Sequence, residues 1–258
     1  MKIRLILIII FMAVNMINAK IHKEYKEYTE GGTKFKGYLV YDDAAKGKRP
    51  GVLIIHEWWG LNDYPKMRAE EIAKLGYVAF AADVYGNGKV AATQDEAGKL
   101  AGELRKDNEL LRKRVAAGLD VLKHDSHVDA SKISSIGYCF GGAAALELAR
   151  SGADVKGTCV FHGNLKTANP NDAKNIKGKI LILTGGDDNF IPPGEREDFQ
   201  KEMNNAKVDW QMNIYSGAVH SFTNPKSGND PSKGIAYNEK ADKRSWEAMK
   251  SFFNEVFK

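Results

Sequence analysis

The sequence is poor in cysteine and in net charge, and it contains no serine in a nucleophile-elbow motif. Its two cysteines, Cys139 and Cys159, allow at most one internal disulfide, and no histidines at zinc-binding spacing accompany them. The formal charge of +5 is small and evenly spread, which excludes an electrostatic nucleic-acid binder. G-x-S-x-G occurs nowhere, so a nucleophile on a strand-to-helix turn would not be a serine here.

The N-terminus is a short apolar segment that stands apart from the rest. Lys2 and Arg4 precede an uncharged run that ends at Ala19, which is typical of a secretory signal peptide and short for a membrane span. Ile17 is bulky for its place near the cleavage site, so an uncleaved membrane anchor is the alternative. We predict a leader over residues 1–19, a periplasmic or secreted protein, and no other membrane contact.

Residues 20–258 contain no linker, repeat or shift in composition, so we predict a single domain. Continuous apolar runs such as 50–56 and 179–186 are typical of strands that are covered on both faces. Amphipathic helix patterns separate these runs, whereas the segments around Gly31-Gly32 alternate polar and apolar residues like an antiparallel pair. The pattern predicts an α/β fold with a mostly parallel central sheet and helices on both faces.

The segment GYCFGG, residues 137–142, has the layout of a nucleophile elbow with cysteine as the nucleophile. A strand-like run precedes it, and an alanine- and leucine-rich helix pattern follows it. An elbow needs small residues two positions before and two positions after the nucleophile, and Gly137 and Gly141 stand there around Cys139. A structural cysteine in a tight turn is the alternative.

Titratable residues follow the later strands, at the edge where parallel sheets bind ligands. Asp187 and Asp188 come after the strand that ends near residue 186, and His220 comes after the last strand. In the order nucleophile, acid, base, His220 would accept the proton of Cys139, and an aspartate would orient the histidine. A solvated loop histidine is the alternative for His220.

The backbone N–H groups of Phe140 and Trp58 are candidates for an oxyanion hole, because one follows the cysteine and the other follows the apolar run at 50–56. With an acid and a base they supply the groups that acyl transfer needs, so we expect no metal and no organic cofactor. The segment GNGKVA at 86–91 is similar to a dinucleotide fingerprint. A long helical region follows it in place of a second strand, which argues against nucleotide binding.

Five motifs stand at the ends of the predicted strands: HEWWGLND (56–63), ADVYG (82–86), GYCFGG (137–142), GGDDNFIPP (185–193) and HSFTNP (220–225). Together they resemble the dienelactone hydrolases, or carboxymethylenebutenolidases, of the α/β-hydrolase superfamily, over nearly the whole chain after the leader. The resemblance implies a triad of Cys139, His220 and Asp188, the aspartate four residues before Pro192. It also implies that Glu57 holds the resting thiol, and a structural hydrogen bond is the alternative for Glu57.

Two positions depart from the family in a way that concerns the substrate. Family members that act on dienelactone bind its carboxylate with two arginines, one shortly after the ADVY-like motif and one four residues after the histidine. Asn87 and Asn224 stand at those positions, and an amide cannot form the bidentate pair of a guanidinium. We therefore expect a substrate other than dienelactone.

The substrate pocket is expected to be rimmed by aromatic side chains. Trp58 and Trp59 suggest an apolar acyl or aromatic-rimmed pocket, although one of the pair suits the core equally well. Tyr85 and the two asparagines are assigned to the pocket by their motifs. His162 is assigned to it by its strand end, with a structural role as the alternative.

The sequence thus predicts a monomeric, cysteine-dependent hydrolase of small-molecule esters, lactones or thioesters that forms a covalent acyl-enzyme. The alternative is a non-catalytic or redox-active protein of the same fold, in which Cys139 is oxidised or paired with Cys159. Neither interpretation involves a nucleic-acid partner.

Overall fold

The structure is a computed structural model that describes residues 20–258. The predicted leader lies outside the described residues, so the leader and the export of the chain stay predictions.

Eight strands in the described residues form one sheet. They are β1 (Ile21–Glu30), β2 (Thr33–Asp42), β3 (Arg49–Ile55), β4 (Val78–Ala82), β5 (Val128–Tyr138), β6 (Gly157–Phe161), β7 (Lys179–Gly185) and β8 (Trp210–Tyr215). The order across the sheet is β1-β2-β4-β3-β5-β6-β7-β8. The β1–β2 and β2–β4 pairs are antiparallel, and every later pair is parallel, which confirms the predicted sheet.

The helices are α1 (Asp63–Lys74), α2 (Gln94–Lys106), α3 (Asn108–His124), α4 (Phe140–Arg150), α5 (Pro193–Ala206) and α6 (Glu239–Val256). The long amphipathic region after β4 forms two helices, because Asp107 ends α2 and begins α3. Its carboxylate accepts a hydrogen bond from the Leu110 N–H at 2.9 Å and caps α3. Within residues 20–258, no helix has both the length and the apolar character needed to cross a bilayer.

Both faces of the sheet are buried, and β3 shows this most clearly. Leu53 and Ile55 pack on the face that α2, α3 and α4 cover, whereas Val52 and Ile54 pack on the face that α1 and α6 cover. Helix α5 packs on the same face as α4. Coverage on both faces explains why this strand is a continuous apolar run in the sequence.

The carboxyl ends of the parallel strands lie at one edge of the sheet and carry the chemically active side chains. Strand β3 ends just before His56 and Glu57, β5 ends just before Cys139, and β6 ends just before His162. The acid loop follows β7, and the loop with His220 follows β8. The topology therefore brings together residues that lie far apart in the sequence.

Candidate active site

Cys139 lies on a strained turn between β5 and α4. Its φ of +53° is in the left-handed region, which non-glycine residues rarely adopt. A Cβ atom on Gly137 would lie 1.9 Å from the Gly141 carbonyl oxygen, and one on Gly141 would lie 2.2 Å from the Ile55 carbonyl oxygen. The Cys139 N–H donates to the Phe161 carbonyl at 3.0 Å, which ties the turn to the end of β6. Only glycines therefore fit two positions before and two positions after the cysteine.

The structure brings Cys139, His220 and Asp188 into one chain of contacts. His220 Nε2 lies 3.1 Å from Cys139 Sγ, and His220 Nδ1 donates to Asp188 Oδ2 at 2.9 Å. Asp188 is buried, and its second oxygen accepts from the Phe190 N–H at 2.9 Å. Asp187 is exposed, which leaves Asp188 as the aspartate that orients the histidine.

The electrostatics of the Cys139–His220–Asp188 contacts favour a protonated His220. Burial on its own lowers the pKa of His220, because it disfavours the charged imidazolium. The charge of Cys139 and the hydrogen bonds to Asp188 and Cys139 outweigh burial and raise the pKa of His220 to about 10. The thiolate is the nucleophilic form of cysteine, so the arrangement suits nucleophilic attack.

Two backbone N–H groups beside the sulfur are free to bind a ligand. Within residues 20–258, the N–H groups of Phe140 and Trp58 donate to no protein acceptor, and both residues line the cavity above Cys139. Phe140 is also the first residue of α4, whose N-terminus carries a partial positive charge. These groups can therefore stabilise an oxyanion.

Glu57 is bound to the loop that carries His220, and it does not hydrogen-bond to the thiol. Its two carboxylate oxygens accept hydrogen bonds from Ser221 Oγ at 2.9 Å and from Asn224 Nδ2 at 2.7 Å. Burial raises the pKa of Glu57, and these two hydrogen bonds act in the opposite direction. The predicted role as partner of the resting thiol is therefore corrected, because the thiol contacts His220.

A cavity of about 810 Å³ opens above Cys139 and His220, a volume typical of small-molecule sites. Trp58 and Trp59 form one aromatic wall, with ring centroids 5.1 Å apart and an edge-to-face arrangement. The Phe190 ring lies 4.8 Å from the His220 ring, and Phe190 is 55% exposed although it is apolar. The cavity therefore presents an apolar surface directly beside the sulfur.

Three residues assigned to the pocket from the sequence do not line this cavity. The Tyr85 hydroxyl is buried and donates to the Trp58 carbonyl at 2.8 Å. Asn87 lies on an exposed turn and has a φ of +56°. Its N–H donates to the Lys34 carbonyl at 2.6 Å. His162 is buried, and its ring contacts the ring of His220. The prediction is wrong for these three residues, because a position near a strand end does not fix where a side chain points.

Arg105 lines the cavity, although no motif in the sequence selects it as a pocket residue. Within residues 20–258 its guanidinium makes no hydrogen bond or ion pair, and its Cζ lies 5.7 Å from the centre of the Phe140 ring. Gln94 lines the cavity too. These two residues of α2 are eleven positions apart, about 16 Å along a helix, so the cavity is elongated beside α2.

Both cysteines are free thiols. Cys159 lies in β6 and packs on the face of the sheet that α1 and α6 cover, whereas Cys139 packs beside the residues of the opposite face. Burial raises the pKa of Cys159 well above its usual value, so this thiol stays protonated. The structure contains no pair between them. No group of three or more acidic, histidine or cysteine side chains within residues 20–258 is arranged to hold a metal ion.

Known proteins resemble the chain over most of its length. The sequence pattern of the dienelactone hydrolase family matches residues 35–257. The protein usf of Aquifex pyrophilus is 31% identical over 234 residues, which are 89% of this chain and 96% of that protein. A protein of Aquifex aeolicus assigned as a carboxymethylenebutenolidase is 31% identical over 238 residues, 90% of this chain and 98% of its own length.

A solved structure gives the same result. A dienelactone hydrolase-like promiscuous phosphotriesterase from metagenomic libraries is 38% identical, with a TM-score of 0.88 over 92% of this chain and 99% of that chain. The family pattern and the solved structure agree with the α/β fold of this chain. The chain belongs to the dienelactone hydrolase family and is a hydrolase of ester bonds.

Proposed function

We propose that the chain hydrolyses esters, lactones or thioesters with Cys139 as the nucleophile, His220 as the base and acid, and Asp188 as the orienting carboxylate. One observation carries the proposal. The cysteine of a strained elbow lies 3.1 Å from a histidine whose other ring nitrogen lies 2.9 Å from a buried carboxylate. Such an arrangement activates a nucleophile through an oriented base.

The reaction begins when the Cys139 thiolate attacks the carbonyl carbon of the substrate. The N–H groups of Phe140 and Trp58 stabilise the negative charge on the carbonyl oxygen. The bond to the leaving group then breaks as protonated His220 donates its proton to the leaving atom, and a thioester remains on Cys139.

Hydrolysis of this thioester restores the enzyme. Neutral His220 accepts a proton from a water molecule, and the hydroxide attacks the thioester carbonyl in the same oxyanion hole. The carbon–sulfur bond breaks, the carboxylic acid leaves, and the thiolate–imidazolium pair forms again. Every step uses groups of the chain itself and water.

The proposed substrate differs from dienelactone. Asn87 is outside the cavity, and the Asn224 amide donates to Glu57 at 2.7 Å, so neither binds a ligand carboxylate as the family's arginines do. The aromatic wall and the length of the cavity along α2 suit an aryl or extended acyl group. Arg105 offers a single guanidinium to one negatively charged substituent of such a substrate.

Turnover of p-nitrophenyl acetate by wild type and by Cys139→Ala tests the proposal. We expect Cys139→Ala to lose at least about 1,000-fold in kcat, because the chain has no second nucleophile on the elbow. Stoichiometric iodoacetamide labelling of Cys139 should remove wild-type activity in parallel. Full turnover by Cys139→Ala would rule out this role and would favour the non-catalytic or redox-active alternative.

A further inference from the structure

His220 lies on a segment without regular secondary structure, residues 218–224, which we call the histidine loop. The His220 N–H donates to the Gly234 carbonyl and its carbonyl accepts from the Ala236 N–H, each at 3.2 Å. Ser221 has a φ of +59°, so the chain turns sharply directly after the histidine. Backbone hydrogen bonds from the Asp187 N–H to the Ala218 carbonyl and from the Asn238 N–H to the Phe222 carbonyl, each at 3.0 Å, also hold this loop. Buried side chains anchor it in addition.

Thr223 is buried, and three side chains from other elements converge on it. Arg68 of α1 donates from Nη2 to the Thr223 carbonyl at 2.7 Å. Tyr64 of α1 lies with its hydroxyl 2.6 Å from Thr223 Oγ1, and His162 Nε2 lies 2.7 Å from the same oxygen. The loop is therefore fixed at a buried position three residues after His220.

The available donors and acceptors decide which group donates in each hydrogen bond of this network. The Arg68 guanidinium can only donate, and its Nε–H donates to the Tyr64 hydroxyl oxygen at 3.3 Å. Both hydroxyl protons find an acceptor when Tyr64 donates to Thr223 Oγ1 and Thr223 donates to His162 Nε2. His162 is then neutral and carries its proton on Nδ1. Burial lowers the pKa of His162 well below its usual value, and the charge of His220 lowers it further.

His162 also contacts the histidine of the triad. The two rings meet edge to face with centroids 5.3 Å apart, which limits how the His220 ring can tilt. His162 has a φ of +41°, an unfavourable conformation for a non-glycine residue. This strain is located beside the active site, and the residue before His162 accepts the hydrogen bond from the Cys139 N–H.

We infer that Thr223 and His162 are positioning residues that hold His220 Nε2 on the sulfur of Cys139. Neither residue lines the cavity, so neither contacts the substrate, and we assign their effect on the reaction to the position of His220. The inference rests on the proposed function, because it assigns the purpose of this buried network to the proton transfers of His220.

Thr223→Val tests the inference, because valine keeps the shape of threonine and removes the hydroxyl. We expect kcat to fall about 10- to 100-fold with KM changed less than about 2-fold, since misplacing a catalytic group costs this much. Thr223→Ser keeps the hydroxyl and should recover most of the lost kcat. The rates are divided by the folded fraction, measured by circular dichroism, so a loss of stability alone does not change them.

Thr158→Val is the matched control. Thr158 Oγ1 lies 2.9 Å from Ser135 Oγ inside the sheet, and both residues are buried away from the histidine loop. We expect this variant to lose thermal stability and to keep its kcat. The comparison separates a general cost of a buried hydroxyl from a specific effect on His220.

The inference is overturned if Thr223→Val keeps the kcat of Thr158→Val, or if Thr223→Ser is as slow as Thr223→Val. Should Thr223→Val not fold, His162→Asn replaces it, because asparagine tolerates a positive φ and lacks Nε2. The same fall in kcat is then expected, and an unchanged kcat overturns the inference. Failure of the proposed function looks different, since Cys139→Ala would then retain activity whatever the Thr223 variants do.

Discussion

The nucleophile elbow and the histidine loop meet at one contact, but different parts of the chain hold them in place. The elbow is shaped by close backbone packing, since a Cβ on Gly137 would meet the Gly141 carbonyl and a Cβ on Gly141 would meet the Ile55 carbonyl. The histidine loop is shaped by distant segments, because Glu57 holds it from the cavity side and Thr223 is held from the buried side. A nucleophile held by backbone packing is thus paired with a base whose loop is anchored by buried side chains.

This difference predicts how substitutions act on the two regions. A change in the elbow should disturb the backbone at once, because the obstructing atoms are themselves backbone atoms. A change in an anchor of the histidine loop should leave the fold largely intact and weaken the alignment of His220. Effects on stability and on activity should therefore separate.

Gly137→Ala should give the largest effect. Its Cβ would lie 1.9 Å from the Gly141 oxygen and 2.7 Å from the Gly142 nitrogen, so the elbow must distort. We expect a loss of about 1–3 kcal/mol in the free energy of unfolding and near-complete loss of turnover. Urea unfolding and p-nitrophenyl acetate assays measure both.

Gly98→Ala in α2 is the control for the elbow variant. A Cβ at Gly98 meets nothing within 4 Å, so this change should stabilise the helix by about 0.5–1 kcal/mol and leave turnover unaltered. Near-normal activity of Gly137→Ala would show that the elbow is not held by its glycines.

Glu57→Gln should give an intermediate effect. The glutamine amide has one acceptor oxygen where Glu57 offers two, so if it accepts from Asn224 Nδ2 it must donate to Ser221 Oγ, which reverses that hydrogen bond and removes a charged acceptor from the loop. We expect kcat to fall about 10-fold, since the loop moves while the elbow stays. A fall in kcat no larger than 2-fold would contradict the anchoring role of Glu57.

Much of the fold and the centre of the site could be predicted from the sequence, for physical reasons. Apolar runs identify strands that are covered on both faces, and an elbow needs small residues at a fixed spacing around the nucleophile, as at Gly137 and Gly141. Asp188 and His220 follow from the ends of parallel strands, which lie at one edge. These features depend on local pattern or on topology.

The wall of the cavity could not be predicted, because it depends on side-chain direction and helix placement. His162 points beneath His220, and Tyr85 points at a backbone carbonyl, although both follow strands of the active-site edge. Arg105 reaches the cavity from α2, and nothing in an amphipathic pattern says which exposed residue faces a cleft. The direction of the Glu57 side chain, which binds the histidine loop and not the thiol, could not be predicted either.

Arg105→Gln should give the smallest effect, because Arg105 contacts the elbow only through the Phe140 ring and does not hydrogen-bond to the histidine loop. For the mono-p-nitrophenyl ester of glutaric acid, which carries a carboxylate, we expect KM to rise about 5-fold, as for an exposed charge pair of ~1 kcal/mol. For neutral p-nitrophenyl acetate we expect no change. Arg244→Gln on α6, outside the cavity, is the control and should alter neither substrate. Equal effects on both esters would contradict the proposed role of Arg105.

The central claim is that Cys139 carries the acyl group during turnover. The most direct measurement is mass spectrometry of the peptide with Cys139, from wild type quenched in acid during p-nitrophenyl acetate hydrolysis. The account predicts an acetyl thioester on Cys139 that hydroxylamine removes and that Cys139→Ala cannot form. Steady turnover without an acetyl group on Cys139, or with one on another residue, would contradict it.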